Sequence, residues 1–438
     1  METIFALATY PAKSGVAIVR VSGSLALNSL KYFGINIQPQ DRIAKFAVLK
    51  DGEDEIDQAL YFCFNAPHSF TGEDVVEYHL HGSIAVINSV LSLLSKIPNF
   101  RLAEPGEFAK RAFMNNKMDL TKAEGLADLI EAETKLQQRQ ALRQMSGELE
   151  NLYDKWRNSL IHAMAFIEAY IDFPDEDLPQ EIITELNEQI NELRFEITNH
   201  LSDKRGEKLR EGIYIAIYGA PNVGKSTLLN NLAKRDVAIV SNIPGTTRDI
   251  IEVRLDLNGY LVTIADTAGL RVSDDVIENE GIKRAKNAVA NADLKIAIFD
   301  ASVETPVDKD SFELIDDNTI VILNKIDAEK TIVGNIGKHN FIRMSLLDNI
   351  GVNELLELIT VFIRDNYAPI STPLITRIRY RNLLEEAMKA LMKFDLSKDS
   401  ELAAEDLRVA ASKLGQITGR IDVENILDKI FSSFCIGK

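Results

Sequence analysis

The 438-residue sequence contains only two cysteines, Cys63 and Cys435, and they lie far apart in the chain. So few cysteines exclude a disulfide scaffold, provide no zinc-ligand spacing and are typical of a reducing compartment. Long apolar runs are lacking too, since none approaches the ~20 residues of a membrane-spanning helix. The N-terminal segment has no charged stretch before an apolar core. The sequence therefore predicts a cytoplasmic protein without a membrane partner.

Positive charge is also scarce. Lys and Arg number 49 against 66 Asp and Glu, which gives a formal net charge of −17. Proteins that hold nucleic acid over a broad face usually carry a basic excess. Any RNA contact must therefore come from a local basic patch or from a partner, and solubility is the simpler explanation of the acidity. The length predicts two to four globular domains.

The pattern of apolar side chains divides the chain into three segments. Residues 1–118 carry short apolar runs separated by turn residues, which predict an α+β domain with strands at 15–21, 59–64 and 75–80. Residues 119–211 and 367–438 repeat apolar side chains every three or four positions, which predicts amphipathic helices. Residues 212–366 have an α/β pattern. We therefore expect a discontinuous helical domain into which an α/β domain is inserted.

A phosphate-binding pattern follows the first apolar run of the inserted segment. The strand predicted at 214–218 leads into the motif G-x-x-x-x-G-K-[ST], which occupies positions 219–226. In such a loop, backbone N–H groups and the N-terminus of the next helix face the phosphates. We expect Lys225 to contact the β- and γ-phosphates and the Ser226 hydroxyl to ligate Mg²⁺. The other residues of this predicted site are Asn222, Val223, Gly224 and Thr227.

A second motif follows the strand predicted at 261–265. It contains Asp266, which is expected to hold the Mg²⁺ shell through water, and Gly269, whose N–H is expected to meet the γ-phosphate. Thr267 and Ala268 complete this group of predicted GTP contacts. Between the two motifs lies a loop, residues 243–249, in which Thr247 is placed to close on Mg²⁺ when the γ-phosphate is present.

A third motif, Asn324-Lys325-Ile326-Asp327, follows the strand predicted at 320–323. The Asp327 carboxylate can accept hydrogen bonds from both N1–H and the 2-amino group of guanine, a pattern that adenine lacks. Together the three motifs predict a Ras-like P-loop G domain with a mostly parallel sheet that binds and hydrolyses GTP. With the 243–249 loop, these motifs make four nucleotide-binding segments. A fifth segment usually reads Ser-Ala-Lys and lies over the guanine base. Here it reads Ser345-Leu346-Leu347, which predicts a modest affinity for guanine.

With these motifs in place, the whole chain resembles the MnmE (TrmE) family of tRNA-modification GTPases. The resemblance rests on motifs from all three segments: Asn222 in the P-loop, Gly245-Thr246-Thr247-Arg248-Asp249, Thr71-Gly72-Glu73-Asp74, Pro105-Gly106-Glu107-Phe108 with Arg111-Ala112-Phe113, and Phe434-Cys435-Ile436-Gly437-Lys438. It implies an N-terminal folate-binding domain that forms homodimers (1–118), a helical bundle (119–211 and 367–438) and an inserted G domain (212–366).

The resemblance also implies the reaction. MnmE-like proteins work with an FAD-dependent partner of the MnmG (GidA) type, in a heterotetramer, to add a carboxymethylaminomethyl group to the wobble uridine, position 34, of certain tRNAs. A tetrahydrofolate derivative, 5-formyl- or methylene-tetrahydrofolate, supplies the one-carbon unit. By position the folate contacts fall on Arg20, Glu77, Lys117 and Lys438. Arg20 and Lys117 would pair with the glutamate carboxylates and Glu77 with the pterin edge, and Cys435 is a candidate for a role in the tRNA chemistry.

The same family uses K⁺ where other GTPases use an arginine finger. Leu270 follows Gly269 here, so no glutamine is present to orient the attacking water. The resemblance assigns that role to Glu278, which joins Lys225 and Thr247 as the predicted catalytic residues. It places K⁺ at the P-loop and the 243–249 loop, coupled to face-to-face dimerisation of the G domains, with ligands at Asn222, Ser241, Ile243 and Thr246. Ser241 and Thr246 also belong to the predicted GTP site.

Two other functions remain open on the residues alone. A regulatory ribosome- or RNA-associated GTPase would carry the same G domain, although it would not require the N-terminal α/β segment. A degenerate member that binds GTP structurally and turns it over poorly would fit the altered Ser345-Leu346-Leu347 loop. Stimulation of hydrolysis by K⁺ and binding of folate would separate these from the tRNA-modifying enzyme.

Overall fold

The computed structural model describes residues 2–36, 38–172, 180–235, 237–239, 252–266, 286–330, 336, 340–368, 372–396, 400–421 and 424–437. The chain forms two compact units. The first consists of Met1–Ala127, Gln144–Ile190 and Glu386–Lys438, and the second of Asp128–Arg143 and Asn191–Glu385. Residues 128–143, 191–211 and 367–385, which the sequence pattern places with the helical domain, thus cluster with the inserted domain.

A six-stranded sheet forms the N-terminal part of the first unit. Its strands are β1 (Thr3–Leu7), β2 (Ser14–Ser22), β3 (Lys45–Asp51), β4 (Asp54–Phe64), β5 (Val75–Gly82) and β6 (Phe100–Leu102). Their order is β3-β4-β5-β2-β1-β6, and every pair is antiparallel except β1 and β6. The predicted strands are confirmed as β2, β4 and β5, whereas β1, β3 and β6 escaped prediction because they are short or lie near an edge and lack a long apolar run.

The sheet of the second unit is mostly parallel, as predicted. Its strands are β7 (Ile213–Tyr218), β8 (Glu252–Leu257), β9 (Tyr260–Asp266), β10 (Leu294–Asp300), β11 (Thr319–Asn324) and β12 (Phe341–Arg343). The order is β12-β11-β10-β7-β9-β8, and only the β8–β9 hairpin is antiparallel. The carboxyl ends of β7, β9, β10 and β11 therefore meet at one edge of the sheet, where ligands of such folds bind.

The helices with assigned bounds are, in chain order, α1 (Ser29–Tyr32), α2 (Ile84–Ser95), α3 (Glu107–Met114), α4 (Leu120–Glu131), α5 (Lys135–Met145), α6 (Glu148–Asp172), α7 (Gln180–Ser202), α8 (Arg205–Glu211), α9 (Lys225–Ala233), α10 (Lys309–Phe312), α11 (Val352–Tyr367), α12 (Ile378–Lys393), α13 (Ser400–Thr418) and α14 (Glu424–Phe431). Two 3₁₀ turns lie at Ala26–Asn28 and Ile326–Ala328. The first part of the helical pattern predicted over 119–211 is divided near residues 132–134 and at Gly147, whose φ is +91°.

Helices from before and after the inserted segment meet in the first unit, where α6 packs along α13. The α13 face is built of small residues, with Ala403, Ala410 and Ala411 buried, so the two backbones can approach closely. The α6 face is larger and includes the buried Trp156 and Leu160. Burial of each such large apolar side chain is worth about 1.5–3 kcal/mol, which makes this seam a major source of stability.

In the second unit, the start of α5 is anchored on the β8–β9 hairpin. Arg254 Nη1 of β8 lies 2.5 Å from Glu133 Oε1. A Cβ added to Gly259, in the turn of the hairpin, would lie 2.9 Å from Leu136 Cγ, so Leu136 sits directly on that turn. Gln137 Nε2 donates to the Arg210 carbonyl at 3.0 Å, which ties α5 to α8.

A histidine at the end of α7 gives the second unit a pH-dependent stability. Burial lowers the pKa of His200 from 6.5 to about 4, and the nearby Asp203 opposes this shift only in part. As the pH falls below about 6.5, His200 therefore becomes protonated in the unfolded chain but stays neutral in the folded chain. We expect the free energy of unfolding to drop by about 2 kcal/mol between pH 7 and pH 5.

The check is urea unfolding of the full chain across this pH range, beside His200→Gln and the control His162→Gln, which removes an exposed histidine of α6. The His200 variant should lose most of the pH dependence and the control should keep it. An equal pH dependence in all three proteins would contradict the assignment.

The described helices include none with both the length and the apolar character of a bilayer-spanning segment.

Candidate nucleotide-binding site

The loop between β7 and α9 adopts a conformation that requires glycine at two positions. Gly219 has a φ of +149° and Gly224 a φ of +109°. A Cβ at Gly219 would lie 2.3 Å from the Ile298 carbonyl oxygen, and one at Gly224 would lie 2.4 Å from Asn324 Nδ2. No side chain fits at such distances, so the loop can pass this close to β10 and β11 only with glycine. The helix α9 begins directly after it, at Lys225.

Lys225 folds back over the loop that precedes it. Its ammonium donates to the carbonyl oxygens of Gly219 and Ala220, at 3.0 Å each. Burial lowers the pKa of Lys225, and the carboxylates of Asp266 and Asp308 counter this in part. The ammonium is thus a donor held at the loop, where the dipole of α9 also favours an anion.

Ser226 and Asp266 place two oxygen atoms that suit a hard metal ion close together. Ser226 Oγ donates to Asp266 Oδ2 at 2.6 Å, which joins the start of α9 to the end of β9. Asp266 Oδ1 is buried and has no hydrogen-bond partner among the described residues. Mg²⁺ prefers such oxygen ligands, one or two from the protein, with water and phosphate completing the octahedron. The residues present therefore fit this ion.

The third motif connects the phosphate loop to the base loop. Asn324 Nδ2 donates to the Val223 carbonyl at 2.8 Å, and its Oδ1 accepts from the Leu346 N–H at 3.4 Å. The Lys325 ammonium lies 2.6 Å from Asp300 Oδ2. Asp300 escaped the sequence analysis, although its position at the end of an apolar strand run was the signal that could have revealed it.

In the Ser345-Leu346-Leu347 segment, the serine still contacts Asp327 although leucines follow it. Ser345 Oγ lies 2.8 Å from Asp327 Oδ1 and 2.9 Å from Asp348 Oδ2, and Ser345 is fully buried. This hydroxyl fixes the orientation of the Asp327 carboxylate. Leu347 is 85% exposed, so its side chain is available to cover a bound base. Asp348 is a second residue that the motifs did not reveal.

The structure thus brings together the predicted residues of the phosphate loop, Asp266, the third motif and Ser345. The other predicted residues of this site lie outside the described residues: Ser241, Ile243, Thr246, Thr247, Thr267, Ala268, Gly269 and Glu278.

The predicted folate residues lie on the N-terminal sheet. Arg20 of β2 and Glu77 of β5 are register partners, and Arg20 Nε lies 2.7 Å from Glu77 Oε1. Glu77 and Lys117 both line a cavity of about 320 Å³, whose other walls include Arg42 and Phe64. Lys117 Nζ donates to the Pro67 carbonyl at 2.8 Å.

Arg20 and Glu77, expected at opposite ends of a folate, therefore bond to each other in this structure, which the sequence did not predict. Lys438 lies outside the described residues, while the neighbouring Cys435 is exposed. Cys63 is buried in β4, as expected of a core residue, and burial raises the pKa of its thiol to about 11.

Family models cover almost the whole chain. A model of the MnmE helical domain matches residues 120–435, and a model of the N-terminus of the GTP-binding protein TrmE matches residues 3–117. The chain belongs to the MnmE family. It is 48% identical to the tRNA modification GTPase MnmE of Rickettsia bellii (strain OSU 85-389) over 445 residues, with 100% of both sequences covered. The MnmE of Paramagnetospirillum magneticum (strain ATCC 700264 / AMB-1) is also 48% identical, over 440 residues, with the same full coverage.

The MnmE relatives confirm the family that the motifs indicated, and the enzyme class with it: the chain is a GTP-hydrolysing enzyme. Among solved structures, the chain is similar to an Era variant of Aquifex aeolicus bound to GDP.AlF4⁻, with 29% identity, 41% of this chain and 66% of that chain covered, and a TM-score of 0.28.

Proposed function

We propose that this MnmE-family GTPase modifies tRNA by adding a carboxymethylaminomethyl group to the wobble uridine, position 34, together with an FAD-dependent partner of the MnmG type in a heterotetramer. The observation that carries the proposal is the 48% identity to tRNA modification GTPases along their entire length. The domain limits proposed with it are 1–118 for the N-terminal domain, 119–211 with 367–438 for the helical domain and 212–366 for the G domain.

In the proposed nucleotide cycle, Lys225 neutralises charge on the β- and γ-phosphates, and Asp327 accepts from the guanine edge. Ser226 and Thr247 would hold Mg²⁺, which would supply positive charge at the phosphates, and Asp266 would bind the ion through water. The short Ser226–Asp266 contact supports this pairing because it brings the two oxygens within 2.6 Å of each other. Glu278 orients the attacking water, and the second motif provides Gly269 N–H for the γ-phosphate.

We further propose that hydrolysis depends on K⁺ and on dimerisation of two G domains. K⁺ supplies the positive charge that an arginine finger gives in other GTPases. Its proposed ligands are Asn222, Ser241, Ile243 and Thr246. The position of Asn222 within the loop between β7 and α9 supports this assignment, because a ligand there would lie next to the proposed phosphate site.

The experiment that tests the cation site is GTP turnover by the purified chain in K⁺ and in Na⁺ at equal ionic strength. We expect turnover at least ~10-fold faster in K⁺, because a fixed charge at the transferred phosphate stabilises the transition state. Asn222→Lys and Glu278→Ala should both lose the stimulation, whereas the matched controls Asn230→Lys and Glu280→Ala should keep it. Equal rates in the two salts would exclude the K⁺ mechanism.

The N-terminal domain is proposed to bind a tetrahydrofolate derivative, 5-formyl- or methylene-tetrahydrofolate, and to form the homodimer. Arg20, Lys117 and Lys438 offer cations for the glutamate carboxylates, and Glu77 offers an acceptor for the pterin edge. The 320 Å³ cavity supports this assignment in part, because Glu77 and Lys117 both line it, together with Arg42 and the Phe64 ring. The exposed Cys435 is proposed to act near the tRNA chemistry.

Folate binding is tested by titrating 5-formyl-tetrahydrofolate into the chain and its variants. Lys438→Ala and Arg20→Gln should each weaken binding ~10-fold or more, since each removes a charge-assisted hydrogen bond. Lys96→Ala, which removes an exposed lysine of the same domain, should bind folate normally. All three variants should bind GTP as the parent does. Unchanged folate affinity in the first two variants would exclude Arg20 and Lys438 as folate contacts.

A further inference from the structure

A second cavity, of about 250 Å³, lies in the second unit where the end of α4, the helix α5 and the end of α8 come together. None of the residues proposed for GTP, K⁺ or folate lines it. Three carboxylates and one guanidinium are among its lining groups, namely Asp128, Glu131, Glu211 and Arg210.

Most polar groups of the wall already have partners. Asp128 Oδ1 accepts from Arg210 Nε at 2.8 Å and from Arg377 Nη2 at 2.6 Å, so its charge is neutralised. Gln137 Oε1 accepts from the Glu133 N–H at 3.0 Å, while its Nε2 donates to the Arg210 carbonyl. These contacts build a fixed wall.

Two polar side chains that line the cavity, Gln140 and Glu131, make no hydrogen bond or ion pair within the described part of the chain. Gln140 is only 8% exposed, and its amide makes no hydrogen bond with any residue that the structure describes. Glu131 borders the same space and has no ion pair or hydrogen bond within the described part of the chain. The Gln140 amide is therefore open to the cavity, where a ligand can hydrogen-bond to it in place of water. The Glu131 carboxylate beside it, which acts on Arg210 only through its charge, favours a cation.

We infer that this cavity binds a small organic cation through a guanidinium group. A planar guanidinium donates two parallel N–H bonds to a carboxylate, here Glu131, and has further N–H groups for the Gln140 carbonyl oxygen. An ammonium is a point charge and cannot make this bidentate contact. A volume of 250 Å³ suits a ligand smaller than a drug molecule. The acidic total charge of the chain, −17, adds a favourable long-range attraction.

The test is calorimetric titration of the full chain with agmatine, which carries one guanidinium and one amine, and with putrescine, which has the same four-carbon spacer and two amines. We expect agmatine to bind with a Kd of ~1 mM or below, and putrescine at least ~10-fold more weakly. Guanidinium chloride, up to ~20 mM and so far below its denaturing range, should compete with agmatine.

Two pairs of variants locate the site. Gln140→Leu and Glu131→Gln should each weaken agmatine at least ~10-fold, because each removes one of the two free partners. The same changes at exposed residues of the same unit that do not line the cavity, Gln138→Leu and Glu354→Gln, should leave agmatine affinity unchanged. Glu131→Gln alters an exposed residue, so it tests the site even if Gln140→Leu disturbs folding.

GTP affinity should be the same in all four variants, which separates this inference from the proposed function. Absence of agmatine binding, equal binding of agmatine and putrescine, or equal affinity in Glu131→Gln and its control would each overturn the inference, because binding would then be absent or reflect only the acidic surface.

Discussion

Replacing Lys225 with alanine is expected to lower GTP turnover at least ~10³-fold, as measured by phosphate release at saturating GTP. The ammonium is held between the Gly219 and Ala220 carbonyl oxygens, and burial lowers its pKa. Its charge is therefore fixed in place before the nucleotide arrives, so that little reorganisation is needed when negative charge develops. Alanine removes both the charge and the donor.

The matched control for this change is Lys309→Ala, which removes an exposed lysine of the same unit. The control should hydrolyse GTP at the parent rate. Turnover by Lys225→Ala within a few-fold of the parent would mean that the loop at 219–226 is not the catalytic phosphate site.

Replacing Asp327 with asparagine is expected to weaken GTP binding by ~10²–10³-fold and to allow xanthosine triphosphate to bind instead. Guanine presents two donors, N1–H and the 2-amino group, which need two acceptor oxygens. Asparagine offers one acceptor and one NH₂ donor, which complement the N1–H and the 2-oxo group of xanthine. Ser345, at 2.8 Å from Asp327 Oδ1, would hold the new side chain in the same place.

Competition binding with the two triphosphates measures this exchange, and turnover of xanthosine triphosphate provides a second readout. Asp317→Asn, which changes an exposed aspartate outside the motifs, should keep the parent preference for GTP. If Asp327→Asn still bound GTP as tightly as the parent, then another residue would recognise the base.

Local patterns in the sequence predicted some of the buried strands but missed β1 and β10, which are equally buried. The apolar runs that became β7, β9 and β11 predicted the mostly parallel sheet, because central strands of such sheets are apolar on both faces. The same logic failed for β3 and β8, since edge strands alternate with polar residues and their pairing depends on neighbours distant in sequence. The motifs follow the predicted strands directly, and the carboxyl ends of parallel strands meet at one edge of the sheet. The sequence therefore also predicted that Lys225, Ser226, Asp266 and Asp327 lie together at that edge.

The motifs could not predict contacts between segments whose separation in the sequence follows no fixed pattern. The Arg20–Glu77 pair requires the register of β2 on β5, and the Lys325–Asp300 pair requires that of β10 on β11. Gln140 lies on the buried side of a polar helix, and nothing in its neighbourhood distinguishes it from the exposed Gln138. Such features follow from tertiary packing, which overrides local preference.

The attachment of α5 to the β8–β9 hairpin joins two parts of the second unit that are distant in sequence. Glu133 and Arg254, which form the ion pair between them, are 121 residues apart in the chain. The hairpin is antiparallel and lies at the edge of the sheet. The position of the start of α5 therefore depends on this edge hairpin being in place, and a chain in which β8 did not pair with β9 would lose the contacts of Glu133 and Leu136 that anchor the helix.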